Sequence, residues 1–347
     1  MLRQLQGSSA LLWRAGALIV IAAALSAGWL LFRRGPEPLV VYCAHDSVYA
    51  DAVLRRFSER TGIPVAARYD TEATKSLGFT ELLIAERERP RCDVFWNNQV
   101  LGTLALVDEG LLAPYRGEGF GRIPEMWKDP EGRWVGFGAR LRVYIINTGK
   151  MPATEEAVRA RMAGDLSRFA IAKPLYGTTF AHYVALWGLW GEKRLREWHA
   201  DTRKRGAREA AGNAQVKDLV AEGVCDFGWT DTDDFFEAKD DGKPVAMLPI
   251  RVEGDRVLLM PNAVSIVRGA PHPEQARKLV DYLLSEECET ALANSKARQI
   301  PLGPVAEDKL SPDVRKMLPL RGQAYGVGVQ RGSQQACRTW LKSEYAK

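Results

Sequence analysis

A short apolar run that ends in polar residues, followed by an amphipathic stretch, recurs along this chain and limits what it can fold into. "LVVYCAHDS", beginning at Leu39, reads as a strand that ends in polar residues. The "DSVYADAVLRRFSERTG" that overlaps its end places Tyr49, Val53 and Phe57 at i, i+4 and i+8, with Gly62 as a C-terminal stop. "IPVAARYD" is a second strand, "GFTELLIAERE" a helix and "CDVFWN" a third strand. Such alternation predicts an α/β unit with a mainly parallel sheet. Ligands of such sheets sit beyond the carboxyl ends of the strands, which puts His45, Asp46, Asn97 and Asn98 at the mouth. "RWVGFGARLRVYIINTGKMP" reads as extended chain leaving this unit, and Pro152 punctuates the start of the next. A second α/β pattern follows through "FAIAKP", "TTFAHYVALWGLWGEKRLREWHADTRKRG", "NAQVKDLVAEG" and "CDFGWTD". "VAMLPI" and "RVLLMPNAVSIVRG" are later strands, and "PHPEQARKLVDYLLSEECETAL" is a helix with an apolar stripe through Ala276, Leu279, Val280 and Leu283.

At 347 residues the chain suits two domains rather than one small core. Its net charge of +5 is mild and dispersed, and basic clusters such as Arg203-Lys204-Arg205 lack interleaved aromatics, so no nucleic-acid partner is expected. Residues 15–32 carry no charge, with Arg14 before them and Arg33-Arg34 after. As a helix they would span about 27 Å, one hydrocarbon core, so they read as a membrane anchor or as a signal segment cleaved near Ser26 or Ala27. Either reading implies export, with "RRGPEP" as a stiff linker. The five cysteines (43, 92, 225, 288 and 337) form no CxxC pair and offer no zinc spacing. Cys43 and Cys225 read as small buried core residues, and Cys288 with Cys337 is the disulfide expected if one forms.

No catalytic motif emerges. Asp226-Phe227-Gly228 stands without the other kinase elements, and the four histidines are well separated. The acidic turn "GWTDTDDFF" fails the EF-hand spacing, because Phe235, Phe236 and Gly242 fall where that loop needs ligands or glycine. One of Asp231 and Thr232 can cap a helix, yet carboxylates this close repel and are easier to keep charged against a cation or a donor-rich ligand. "KPLYGTTF" leads from a strand into a helix with Thr178 and Thr179 at its start, where free N–H groups favour an anion. "AGNAQVKD" repeats that arrangement, with Asn213 able to cap, and Arg140 offers a planar two-donor fork.

In this order the segments resemble the periplasmic solute-binding proteins of ABC importers, type II, extracellular family 1, and among them the ferric-iron-binding proteins most. The resemblance runs from about Leu39 to Pro319 and rests on "VVYCAHDSVYADAVLRRFSERTGIPV", "ERPRCDVFWNNQ", "VGFGARLRVYIINT", "AKPLYGTTFAHYVALW" and "GNAQVKDLVAEGVCDFGWTDTDD", then "ARQIPLGP". It implies two α/β lobes, each a mixed, mainly parallel sheet flanked by helices, joined by crossing strands near Tyr144–Asn147 and Pro261–Ala263. The first lobe takes 38–145 and 258–320 and the second 146–257; residues 1–37 are the signal segment or anchor with its linker, and 321–347 a C-terminal extension. His45, Asp46 and Asn98 would line the first lobe, and Tyr176, Thr178, Asn213, Asp231, Thr232 and Asp233 the second, with Arg140 near the hinge.

The implied function is capture, without catalysis, of ferric iron or an iron–anion complex, for an ABC importer permease in the inner membrane. Iron is then cargo and no cofactor is required; Asp46 and Asp233 are its candidate ligands, with a synergistic anion at Arg140, Thr178 and Asn213. The family's usual tyrosine pair is replaced here, since Thr232 and Asp233 stand in its place and Asn98 near its glutamate. An organic solute such as an aminophosphonate or polyamine is the alternative ligand, and an enzyme or sensory receptor on the same fold the alternative class. A periplasmic monomer is expected.

Overall fold

The computed structural model describes residues 37–70, 77–326 and 332–346; the uncharged run at 15–32 lies outside them. Among the described residues no helix is long and apolar enough to cross a membrane. The chain opens with the expected alternation: β1 (Leu39–Cys43), α1 (Ser47–Thr61), β2 (Val65–Tyr69), α2 (Leu77–Ala85), β3 (Val94–Asn97), α3 (Val100–Asp108) and the short β4 (Leu112–Ala113). The long β5 (Val135–Asn147) then leads to α4 (Glu155–Ala163), β6 (Phe169–Ala172), α5 (Gly177–Lys204), β7 (Arg208–Ala210), α6 (Asn213–Ala221), β8 (Phe227–Asp231) and α7 (Thr232–Asp240). After β9 (Val245–Pro249) and the hairpin of β10 (Arg251–Val252) and β11 (Arg256–Val257) comes β12 (Leu259–Val267). Among the described residues the α-helices α8 (Pro273–Leu283), α9 (Glu286–Ala293), α10 (Pro312–Met317) and α11 (Gln334–Tyr345) follow.

Ten of these strands form one sheet in the order β2-β1-β3-β12-β5-β8-β6-β7, with β4 beside β12 and β9 beside β5, while β10 and β11 pair separately. Its two outer portions are parallel, β2-β1-β3 on one side and β8-β6-β7 on the other. The central strands β12 and β5 run antiparallel to their neighbours and join the portions. β5 is long enough to serve both: its residues up to Leu141 pair with β12, and from Arg142 onward with β8. The pairing of β12 with β5 shifts register between Pro261 and Asn262, opposite Ala139 and Phe137. Side chains along β5 are buried on both faces except at Tyr144, as expected for a strand covered on both sides. Two of those buried residues are Arg140 and Arg142, and a guanidinium is seldom buried unless it is paired.

Two helices read as continuous are interrupted. The stretch from Pro273 to Leu292 breaks at Ser285, whose hydroxyl caps the Cys288 N–H at 3.1 Å and starts α9 afresh. α5 bends at Gly191, whose φ of 78° lies outside the helical region. The expected Cys288–Cys337 disulfide does not form: all five cysteines are buried and none is bridged to another. Cys288 lies on α9, which packs against α1 and β5, whereas Cys337 lies on α11, which packs against α5. Cys43 and Cys225 are core residues, as read from the sequence.

Candidate functional site

Arg142 shows how the site is assembled. Its Nη1 donates to Asp231 Oδ1 at 2.8 Å and to Asn213 Oδ1 at 3.2 Å, and its Nη2 donates to Thr179 Oγ1 at 3.3 Å. The other oxygen of Asp231 accepts from Thr178 Oγ1 at 2.5 Å and from Asn213 Nδ2 at 3.0 Å. One buried ion pair therefore pins the first turns of α5 and α6 to the end of β8. Both helix starts then open on one cavity of about 280 Å³. The sequence reading missed Arg142, although "RLR" in an apolar strand places it on the same face as Arg140.

Eight of the ten expected residues line this cavity: Asp46, Asn98, Arg140, Tyr176, Thr178, Asn213, Asp231 and Asp233. His45 and Thr232 do not. His45 is 2% exposed and lies between Trp96 and Tyr49, with Gln299 at its Nε2. Thr232 begins α7 and turns its hydroxyl back to accept the Leu141 N–H at 3.2 Å. Asn213 is the first residue of α6 rather than its cap, which is Gly212, so its amide is available to the network around Asp231. Asn97, also placed at the mouth by strand order, is buried and donates to Thr103 Oγ1 at 3.2 Å. Tyr49, Lys173 and Glu237 also line the cavity, though none was expected there from the sequence.

The electrostatics are mixed. Asp231, Asp233 and Asp234 stand close enough to offer oxygens within 4.8 Å of one another. Burial, then the charges of Asp233 and Asp231, push the Asp234 carboxyl well above the usual carboxylate range. Its oxygen accepts from Thr230 Oγ1 at 2.7 Å and from the Asp231 N–H at 3.4 Å, so it caps α7. Burial works against the charge on Arg140, but Asp233, Asp231 and Asp46 outweigh it and raise the guanidinium above its ordinary value. Burial and the neighbouring Asp233 and Glu237 likewise raise the Tyr49 phenol. Asp46, the expected partner of Asp233, is outside the three-carboxylate cluster and comes from the start of α1.

A second cavity of about 630 Å³ is larger, and the rings of Tyr144, Trp190, Trp198 and Trp229 form much of its wall. The smaller one gathers charged side chains, hydroxyls and two helix N-termini at the carboxyl ends of β1, β3, β6 and β8. That is where an open α/β sheet places its ligand, and convergent polar groups mark the site better than volume does.

Known proteins share this fold. The iron uptake protein A1 of Synechocystis is 24% identical over 253 residues, 69% of each chain. Iron-bound HitA of Pseudomonas aeruginosa superposes with a TM-score of 0.77 at 20% identity, covering 90% of this chain and all 100% of HitA. AfuA of Actinobacillus pleuropneumoniae, solved with fructose-6-phosphate bound, gives 0.72 at 19% identity, covering 89% of this chain and 97% of AfuA. The architecture is thus the expected two-lobed, type II periplasmic-binding-protein fold, with β5 and β12 as the crossing strands. The family profile of the bacterial extracellular solute-binding proteins matches residues 39–295, the span that supplies both walls of the cavity. This chain belongs to that family and is a solute-binding protein rather than an enzyme.

Proposed function

We propose that this protein captures ferric iron or an iron–anion complex in the periplasm and delivers it to the permease of an ABC importer in the inner membrane. The observation that carries the reading is the pairing, in one cavity, of carboxylates with two helix N-termini. Asp46 and Asp233 offer hard oxygens to a cation, while the starts of α5 and α6 offer N–H groups to its anion. Iron uptake protein A1 and iron-bound HitA support iron as cargo. The lobes we assign are residues 38–145 with 258–320, and 146–257, closing about β5 and β12 on the solute as a monomer. Residues 15–32 either anchor the protein at the membrane or leave as its signal segment.

A second reading is favoured by the same cavity's side chains. The raised Tyr49 phenol disfavours the phenolate that suits ferric iron, and the family resemblance implies that Asp233 replaces one of the tyrosines usual in iron-binding members. An organic solute bearing an amine and a phosphate or phosphonate would meet the carboxylates and the helix starts together. Metal analysis and native mass spectrometry of the purified protein separate the two, with thermal shifts on ferric citrate and on 2-aminoethylphosphonate. Bound iron and a shift with ferric citrate alone uphold the first. A protein free of iron that ferric citrate does not stabilise rules it out.

A further inference from the structure

Behind the cavity runs a chain of buried polar side chains whose direction is set at one end. Arg140 Nη2 donates to the Asn98 carbonyl at 2.8 Å and to Asn262 Oδ1 at 3.4 Å, and a guanidinium has donors only. The Asn262 nitrogen lies 3.2 Å from the Phe137 carbonyl oxygen, 2.6 Å from that of Gly138 and 2.8 Å from Gln299 Oε1. Backbone carbonyls only accept, so the orientation of this amide is fixed by its surroundings and not by choice of rotamer. Gln299 must then turn its oxygen to Asn262, which leaves its Nε2 at 2.8 Å from His45 Nε2. An amide nitrogen cannot accept, so that imidazole nitrogen does. The His45 proton therefore sits on Nδ1, the atom 4.0 Å from the Asp46 carboxylate.

The backbone is shaped to admit this chain. Gly138 has φ +43°, and a Cβ there would come within 2.6 Å of Gln299 Oε1. Arg298, just before Gln299, adopts φ +45°, a conformation a non-glycine residue keeps only with support. Asp240 supplies that support with two hydrogen bonds, at 2.7 and 2.8 Å. The register shift at Pro261/Asn262 falls at the middle of the chain.

We infer that Asn262 and Gln299 are positioning residues of the solute site, which pass the fixed polarity of Arg140 to His45 and hold it as the Nδ1–H tautomer. His45 then presents a donor behind Asp46, while the other end of the chain, Arg140, faces Asp233 at 3.5 Å. Hydrogen bonds thus join Asp233 to His45 through this network, and the Asp46 carboxylate lies 4.0 Å from its far end. The role in solute binding rests on the proposed function; the tautomer does not.

The test is a long-range ¹H–¹⁵N correlation spectrum of the labelled full chain near neutral pH, with His45 assigned by loss of its signals in His45→Gln. A protonated Nδ1 and an unprotonated Nε2 are expected in the ligand-free protein. Gln299→Glu replaces the donor with an acceptor and should move a proton onto Nε2, whereas Gln299→Leu should leave the two tautomers in exchange. In the same variants, affinity for ferric citrate, with 2-aminoethylphosphonate as the second probe, should fall roughly tenfold in Gln299→Leu, as for loss of one buried partner. An Nε2–H tautomer in the wild-type protein, or His45 signals indifferent to both Gln299 substitutions, overturns the inference. Failure of both probes to bind the wild type, with the tautomer as expected, overturns the proposed solutes instead.

Discussion

Asp231 holds Arg142 at 2.8 Å in a place where neither side chain is more than marginally exposed, and α5 and α6 begin from that pair. Removing one member leaves a buried charge without its partner, a loss of about 3–5 kcal/mol. Asp231→Ala should therefore lower the unfolding free energy measured by urea titration by that amount, and an Arg142→Met/Asp231→Leu double variant should be less destabilised than the sum of its single changes. Additive losses in equilibrium unfolding would show that the pair is not coupled.

Asp234 gives a pH dependence of defined sign. Its carboxyl is raised above 3.8 in the fold, so the folded state binds the proton more tightly than the unfolded chain does. That contribution is complete below about pH 3.8 and is lost as the pH rises through the folded value. Asp234→Asn keeps an oxygen for Thr230 and for the Asp231 N–H while removing the ionisation. Relative to the wild type, the variant should gain stability as the pH is raised from 4.5 to 7.5. Unfolding curves at the two pH values that differ equally in both proteins contradict this.

The strand and helix order was legible because apolar runs and their polar ends obey local periodicity. The lining of the candidate cavity was legible for the same reason: Asp46, Asn98, Thr178, Asn213 and Asp233 all follow strand ends or begin helices. What sequence could not place was direction. His45 and Asp46 are neighbours, yet aromatic packing against Trp96 draws one inward while the other lines the cavity. Gln299 carries no local signal at all, because it meets His45 across 254 positions of chain. The Cys288–Cys337 pairing failed on the same ground, since spacing says nothing of which helix each thiol packs beneath.

Asp233 carries the cleft prediction. It faces Arg140 at 3.5 Å, and Asp231 stands 3.8 Å from the same guanidinium, so its loss does not strand the charge. Asp233→Ala should keep the protein folded while weakening solute-induced closure by roughly tenfold in affinity, the scale of one charged hydrogen bond. Small-angle scattering with and without solute measures the closure. An unaltered affinity would remove the acidic turn from the binding wall.

The thiols make a chemical prediction. All five are buried and none is bridged, and burial raises the Cys337 thiol to about 12 and pushes the Cys288 thiol up as well, so neither supplies a thiolate near neutral pH. An aromatic disulfide reagent should label the native protein slowly and titrate five thiols after denaturation. Reducing agent should leave the melting temperature unchanged. A drop in melting temperature on reduction would reveal a bridge.

Gly228 tests whether the spacing behind the site matters as much as the polar groups in it. It lies on β8 three residues before Asp231, where a Cβ would stand 2.6 Å from Val216 Cγ1 of α6 and 2.8 Å from the Ala170 carbonyl oxygen of β6. The Val216 methyl is the end of a short, branched side chain, and the carbonyl is backbone, so neither yields cheaply. Gly228→Ala should cost about 1–3 kcal/mol by overpacking. Because α6 carries Asn213, the same push should shift the Asn213 amide away from Asp231 and weaken solute binding beyond what the lost stability explains. Comparing affinity at a temperature where both proteins are fully folded isolates that second effect. Equal affinities there would confine Gly228 to packing.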